Sequence, residues 1–362
     1  MTKALTGLDL VEWQIRVARG EALPLTQAQV QLHGHAIEVR LCAEDESFQP
    51  HTGVVKYFAA PDAAAFQPAS LRFDHGLACG SEVTPYDDAM LGKLIVHAPT
   101  RQQAIDQLIH ALGQLKLLGI PTNRAFLMEC LGDAVFRQGK ALISYLAGDA
   151  ARLQQQLREK ESQSHRLWGV LAAVGKMPGI MACSYTQLRK LRHRGQSQEL
   201  ALQPISRNSW SCRADDGEAV VLQINELYPN SWRALQAGLM QSISAVQVAS
   251  EEGLARWHLQ AGAVDWWVGD VSYQPPQSAV GAAQGSELRA PFNGKVVQIT
   301  VSQGQTLKPG EVALVIESMK LEHSLSVRAD CVVESVLVNV GQQVAPGQVL
   351  LKLAPLEGTG HA

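Results

Sequence analysis

The side chain best placed for chemistry is the amine of Lys320, set in Glu317-Ser318-Met319-Lys320-Leu321-Glu322-His323. A copy of one pattern stands on each side of it. Val296 to Val312 aligns with Val333 to Val349, with Gly304 on Gly341, Pro309 on Pro346, Gly310 on Gly347 and Val312 on Val349, always at the same offset. A constant offset marks an internal duplication of a strand-turn-strand unit. The Pro-Gly pairs supply turns, with φ fixed at Pro and free at Gly. Alternation at Val297, Ile299 and Val301, and again at Val336, Val338 and Val340, has the period of a half-buried strand. Two such units close on each other as a flattened barrel around one shared core. The chain must reverse between them, so Met319 and Lys320 are expected on an exposed hairpin, where a primary amine is open to covalent modification. An ordinary lysine on a β-turn is only a solvated charge; the neighbouring methionine, the Glu on either side and the symmetric placement set this one apart.

Other elements must carry that hairpin. Gln274 to Ser286 is a low-complexity run of Gln, Pro, Ala, Gly and Ser without periodicity, and reads as a flexible tether. Ahead of it, Glu199–Leu202, Ala219–Ile224, Ala255–Leu259 and Trp266–Val268 alternate over short runs separated by Gly, Asn and Asp, which predicts a small antiparallel barrel. Its leader, Ala150 to about Lys176, is predicted as a long helix that could be laid against a partner. The first part, Met1 to about Ala147, mixes types: Leu8–Arg19 has helical spacing, Ala36–Leu41 alternates as a strand, and Arg101–Leu118 is expected to be a helix with Ala104, Ile105, Leu108, Ile109 and Leu112 as its apolar stripe.

Composition narrows the function. The chain has 362 residues, 46% hydrophobic content and a net charge of -3, enough for several domain cores and without a field suited to nucleic acid. Six cysteines lack a Cys-x-x-Cys pair, the usage of a reducing compartment rather than of a disulfide or zinc framework. No stretch approaches the roughly 20 apolar residues of a membrane span, and the N-terminus lacks a secretory pattern. A cytoplasmic protein is expected, with neither membrane nor nucleic acid as a partner and with no metal site.

Pro291 to Leu353 resembles a biotinyl carrier domain, and Glu317-Ser318-Met319-Lys320-Leu321-Glu322 is similar to that family's Glu-Ala-Met-Lys-Met-Glu motif. The resemblance implies biotin in amide linkage on Lys320, with Met319 as the motif's flanking residue. Ser318 stands where the family usually has Ala, and Leu321 where it usually has Met. Met before Lys favours biotin over a lipoyl group, for which Asp-Lys is the usual pair. Ala290-Pro291-Phe292-Asn293-Gly294 departs from the usual Pro-Met-Pro-Gly opening.

Gly34 to Asp45, followed by Phe48-Gln49-Pro50-His51-Thr52-Gly53, resembles the C-terminal part of biotin carboxylases, as do Leu71-Arg72-Phe73-Asp74-His75-Gly76 and Pro85 to Ile95, in which Asp87 departs from the usual aromatic or His. The resemblance gives Arg72 the role of the arginine that holds bicarbonate and biotin and steadies the enolate oxygen of biotin. A guanidinium suits this, being permanently charged and able to offer paired N–H donors. Glu38 and Arg40 read as structural partners on their strand, and His35 as a satisfied histidine. The glycine-rich loop, phosphate-binding lysines, magnesium ligands and general base of a biotin carboxylase do not appear. Lys3 stands where the family has Glu after Thr, so the chain reads as N-terminally truncated, lacking the ATP-grasp part. It is not expected to carboxylate biotin alone; ATP, Mg and bicarbonate would serve only a complete enzyme.

The order of parts is similar to the biotin-containing α subunit of acyl-CoA carboxylases, most like the 3-methylcrotonyl-CoA type. The fold expected is multidomain, α+β and β: an incomplete biotin carboxylase C-terminal α+β lobe (1–148), a helix-led antiparallel β-barrel that docks a partner (149–273), a linker (274–287), a flattened β-barrel biotinyl/lipoyl domain (288–355) and a disordered tail (356–362). Implied partners are a carboxyltransferase β subunit, a biotin protein ligase and a separate ATP-grasp polypeptide. The alternatives are a truncated, catalytically inert biotinylated protein and a lipoyl-type binding module.

Overall fold

The computed structural model describes residues 1–163, 185–206, 208–214, 217–236, 238–249, 255–272, 287–291, 293–318, 321–327, 329–345 and 347–355. Met319, Lys320, the expected linker as far as 286, the tail 356–362 and the expected leader helix beyond 163 lie outside the described residues. Two compact units divide the chain: Met1–Cys42, Val55–Ser81 and Met90–Tyr273 form one, and Ala43–Val54, Glu82–Ala89 and Gln274–Ala362 the other.

The elements of the first part run α1 (Thr2–Thr6), α2 (Leu10–Ala18), β1 (His35–Cys42), β2 (Gly53–Val54), β3 (Tyr57–Ala59), β4 (Leu71–His75), β5 (Glu82–Val83), β6 (Met90–Ala98), α3 (Arg101–Gln114), β7 (Lys116–Leu118), α4 (Arg124–Gly132), α5 (Ala134–Arg137) and α6 (Tyr145–Gln163). β6 lies between β1 and β4, antiparallel to both. Val39, Leu94 and Phe73 form one transverse row of that sheet and are buried. Against β1 and β6 lies α3, whose buried stripe is Ala104, Ile105, Leu108, Ala111 and Leu112. Thr100 caps the helix by accepting from Gln103 N at 3.2 Å.

The helix expected to reach Leu118 stops at Gln114. Leu115 turns extended (φ -58°, ψ 123°), and Lys116–Leu118 pairs as β7 with β3. Leu115, Leu117, Leu118 and Ile120 are all completely buried. With Lys116 half-buried among them, the run shows no clean period, and periodicity alone does not distinguish a short buried strand from a helix.

Eight strands then form a closed antiparallel barrel in which each pairs with the next and the last with the first: β8 (Gln187–His193), β9 (Gln196–Ser206), β10 (Ser209–Ala214), β11 (Val220–Tyr228), β12 (Ser231–Gln236), β13 (Leu239–Ala249), β14 (Ala255–Ala261) and β15 (Val264–Asp270). The alternating runs turn Leu200 and Leu202, Leu222 and Ile224, Trp257 and Leu259, and Trp266 and Val268 into its core. Leu157 of α6 and Ala125 of α4 join that core. The last turn of α6 is fastened to the barrel at Glu161. Its carbonyl accepts from Trp266 Nε1 at 3.3 Å, and its carboxylate accepts from Arg194 Nε at 2.7 Å and lies 3.1 Å from His193 Nε2. Burial pushes the Glu161 carboxyl up. The expected partner-facing helix is thus laid, in its described part, against α4 and the barrel of its own chain.

The carrier strands are β16 (Glu287–Arg289), β17 (Gly294–Ile299), β18 (Thr306–Leu307), β19 (Val312–Ser318), β20 (Leu321–Ser326), β21 (Cys331–Val336), β22 (Gln343–Val344) and β23 (Val349–Pro355). They form two four-stranded sheets, β16-β23-β21-β18 and β20-β19-β17-β22, and the sequence duplication maps one order onto the other. Hydrogen bonds come in matching pairs. Gly304 N donates to Val333 O and Gly341 N to Val296 O, both at 2.7 Å; Val333 N donates to Gln305 O and Val296 N to Gln342 O, both at 2.9 Å. Gly304 and Gly341, at φ 84° and 87°, occupy the left-handed region that glycine enters without a Cβ penalty.

The alternation differs from that read in the sequence. Val301 and Val338 are buried as expected, but Val296 and Val333, outside the expected stripe, are buried completely, while Val297 is only half-buried and Val340 is 63% exposed. Each half has a β-bulge, between Val296 and Gln298 and between Val333 and Ser335. One extra residue in a strand reverses which face the following side chains take.

Candidate functional site

β19 and β20 pair with Glu317 opposite Glu322 and Ser318 opposite Leu321, so a tight antiparallel ladder ends on each side of Met319 and Lys320. Those two residues, on which the sequence reading centred, lie outside the described residues. The strands beneath them are held closely. Ser318 is buried and its Oγ donates to Asn293 O at 2.7 Å. Gly294 lies so near β19 that a Cβ there would stand 2.5 Å from Ile316 Cγ2 and 2.6 Å from Glu317 O. Lys295 is the cross-strand neighbour of Glu317, so Lys295, Glu317 and Glu322 form one row beside the hairpin. Within the same compact unit, Asn293 Nδ2 donates to Thr52 Oγ1 at 3.4 Å. Asn293 and Gly294 were quoted in the sequence without a role and Lys295 was not singled out; Asn293 in place of the second Pro of the usual Pro-Met-Pro-Gly opening was the available signal.

Arg72 sits on β4, on the sheet face opposite Val39, Leu94 and Phe73. Register places Arg72, Ile95 and Glu38 in one row and Asp74, Lys93 and Arg40 in the next, a compact field of mixed charge. Asp74 accepts from Arg72 Nε at 2.7 Å and from Phe66 N at 2.7 Å, and it also meets Arg72 Nη2. That hydrogen bond from Arg72 holds the Asp74 carboxyl below the usual carboxylate range and raises the guanidinium in turn. Gly92 permits the approach, because a Cβ there would lie 2.8 Å from Asp74 O. Asp74 and Lys93 were inside the quoted motifs without a role. Asp74's position two residues from Arg72, and so on the same strand face, was the sequence signal that could have found it. Glu38 and Arg40, read as structural partners, belong to this field.

The described site thus consists of a tightly paired β-hairpin ladder and, on a separate sheet, an arginine pinned by an aspartate. Residues 38–148 match the biotin carboxylase C-terminal domain and residues 286–353 the family described as biotin-requiring enzyme. The chain thus carries one segment similar to the biotin carboxylase C-terminal domain and, C-terminal to it, one similar to biotin-requiring enzymes. It is 28% identical over 370 residues to the mitochondrial methylcrotonoyl-CoA carboxylase subunit alpha of Mus musculus, covering 95% of this chain and 50% of that one. It is 27% identical over 406 residues to the same subunit of Glycine max, covering 98% and 54%. A biotin carboxylase of Halalkalibacterium halodurans is 42% identical over 147 residues, 40% of this chain and 31% of that one. The chain spans about half the length of the methylcrotonoyl-CoA carboxylase subunits it matches, with 50% of the mouse protein covered. No helix among the described residues is long and apolar enough to cross a membrane.

Proposed function

We propose that this chain is the carrier portion of a 3-methylcrotonyl-CoA-type carboxylase α subunit, with biotin amide-linked to Lys320. The observation that carries it is the duplicated carrier fold, whose one internal hairpin ladder brackets Met319-Lys320, in one chain with the Arg72 lobe. The residues beneath the hairpin fit the group: Ser318 is locked to Asn293 and Gly294 packs without a side chain, which leaves the paired strands as a rigid stem. Biotin, when attached, supplies a ureido nitrogen that takes up and gives away a carboxyl group. Arg72 binds the oxyanion. Asp74 occupies its Nε and part of one Nη, and a guanidinium has five N–H donors, so donors remain for bicarbonate or a carboxylate.

In this reading a biotin protein ligase modifies Lys320 and a carboxyltransferase β subunit, docked on the barrel, receives the carboxyl group. ATP, Mg and bicarbonate act in an ATP-grasp portion. The segments 1–148, 149–273 and 288–355 are its three working parts, joined through 274–287. The acyl substrate is a branched enoyl-CoA of leucine breakdown. A cytoplasmic site suits the five free cysteines described, although the mouse and soybean relatives are mitochondrial. The test is intact mass after co-expression with a biotin protein ligase and biotin. One biotinyl group, lost in Lys320→Arg, is expected; a bare chain or a lipoyl adduct would overturn the reading.

A further inference from the structure

The outer face of the barrel at β13 and β14 ought to be wet, because alternation turns Ile243, Ala245, Trp257 and Leu259 into the core and their neighbours outward. The outward residues Ser244, Val246, His258 and Gln260 are nevertheless 3%, 4%, 1% and 0% exposed. They are covered by the carboxylase lobe of the same unit, whose β7 lies on both strands. While β7 pairs with β3, its amides also find partners on the barrel: Leu117 N donates to Gln260 Oε1 at 3.1 Å and Gly119 N to His258 Nδ1 at 3.0 Å. From α4, the fully buried Arg124 donates to Gly262 O at 3.0 Å and to Asp265 Oδ2 at 3.1 Å. The imidazole of His258 is stacked on Trp267, with centroids 4.1 Å apart.

We infer that the barrel is a built-in extension of the carboxylase lobe rather than a separately tethered module, and that His258 and Gln260 are the pair that recognises β7. They read an extended backbone edge offering two N–H groups two residues apart, and Lys116–Gly119 is the occupant. A buried backbone donor without an acceptor is costly, so each of these side chains carries part of the specificity. A subunit that docks elsewhere on the barrel would hold the lobe in place as well.

An amide donor into Nδ1 requires the neutral imidazole with its proton on Nε2. Burial depresses the His258 pKa below its ordinary 6.5. Asp265 on β15 opposes that, and Arg124 on α4 and Arg256 on β14 reinforce it; Lys116 is the charged residue on β7. With a depressed histidine, the junction is fully held above about pH 6.5 and loosens as the pH falls through the lower folded value.

The test is hydrogen exchange on the full chain. At pH 7.5 the Leu117 and Gly119 amides are expected to be protected, and Gln260→Leu and His258→Ala to speed their exchange at least tenfold, with β1 and β19 unchanged. Wild-type protection at Gly119, corrected for intrinsic rates, is expected to decline as the pH is lowered below about 6.5. Unprotected amides in the wild type, or variants that leave both as slow as before, would overturn the inference. Should the variants not fold, the wild-type amides at pH 7.5 decide: slow exchange at both supports the inference, and fast exchange at either sinks it. Lys320 modification is not read by this experiment, so its outcome is independent of the carrier reading.

Discussion

Replacing Gly294 by alanine tests how the carrier hairpin is supported. The added Cβ would stand 2.5 Å from Ile316 Cγ2 and 2.6 Å from Glu317 O. Favourable contact between such atoms lies at about 3.5–4.0 Å, so β17 and β19 must part by roughly 1 Å. Rotation gives no relief, because Glu317 O is main chain and the next residue is bound through its side chain to Asn293 O. Overpacking of this kind costs about 1–3 kcal/mol. In a domain of this size each kcal/mol moves Tm by about 4–8 °C, so the carrier transition should fall by about 4–24 °C. The duplication sharpens the argument: the equivalent position in the other half is Cys331, buried and accommodated, so the demand for glycine belongs to the hairpin side. Gly304→Ala is the control. It is strained at φ 84° but has open space, and should cost about 1–2 kcal/mol without displacing β19. Calorimetry of the full chain reads the stability, and a time course of ligase-driven biotin labelling at 25 °C reads the hairpin. Gly294→Ala should slow labelling and Gly304→Ala should not. A Gly294→Ala chain with unchanged melting and labelling would refute the reasoning.

Arg124→Met should lower the stability of the lobe-barrel unit by about 2–4 kcal/mol, read as a shifted urea midpoint, because it strands the largely covered Asp265 carboxylate and the carbonyl of Gly262. Arg72→Ala should let the Asp74 carboxyl rise back toward 3.8, followed by carbon NMR. Since a depressed acid stabilises above its unfolded pKa, the contribution lost is present at neutral pH and vanishes as the pH falls below about 4, and for a partly exposed pair it should be about 0.5–1 kcal/mol. No movement of Asp74 would mean that Arg72 does not hold it. Ser318→Ala should cost the carrier about 0.5–1.5 kcal/mol through the lost bond to Asn293 while leaving biotin labelling intact.

Much of the barrel and carrier was legible because their signals are local. Alternating apolar residues, turn glycines and a repeated spacing are carried by a few neighbouring positions, and the eight-stranded closure and the two matching sheets follow from them. The run Leu115–Leu118 was misread because three buried leucines around one half-buried lysine, directly following a helix, carry no clean strand period. The inward phase of β17 was misread because a bulge is a tertiary accommodation, and nothing in Val296-Val297-Gln298 marks where the extra residue goes.

By itself the sequence determined which side chains are offered and where in the chain: the Lys320 amine between duplicated halves, and Arg72 within a run matching a biotin carboxylase C-terminal domain. Tertiary structure alone decided what stands beside each residue. It set Asp74 against Arg72, Gly294 under Glu317, and a histidine and a glutamine on a barrel's outer face against the amides of a strand 139 and 143 residues away. Periodicity reports which side of an element is apolar, but a polar side chain buried by a distant segment leaves no local trace, since its partner is chosen by the packing of the whole unit.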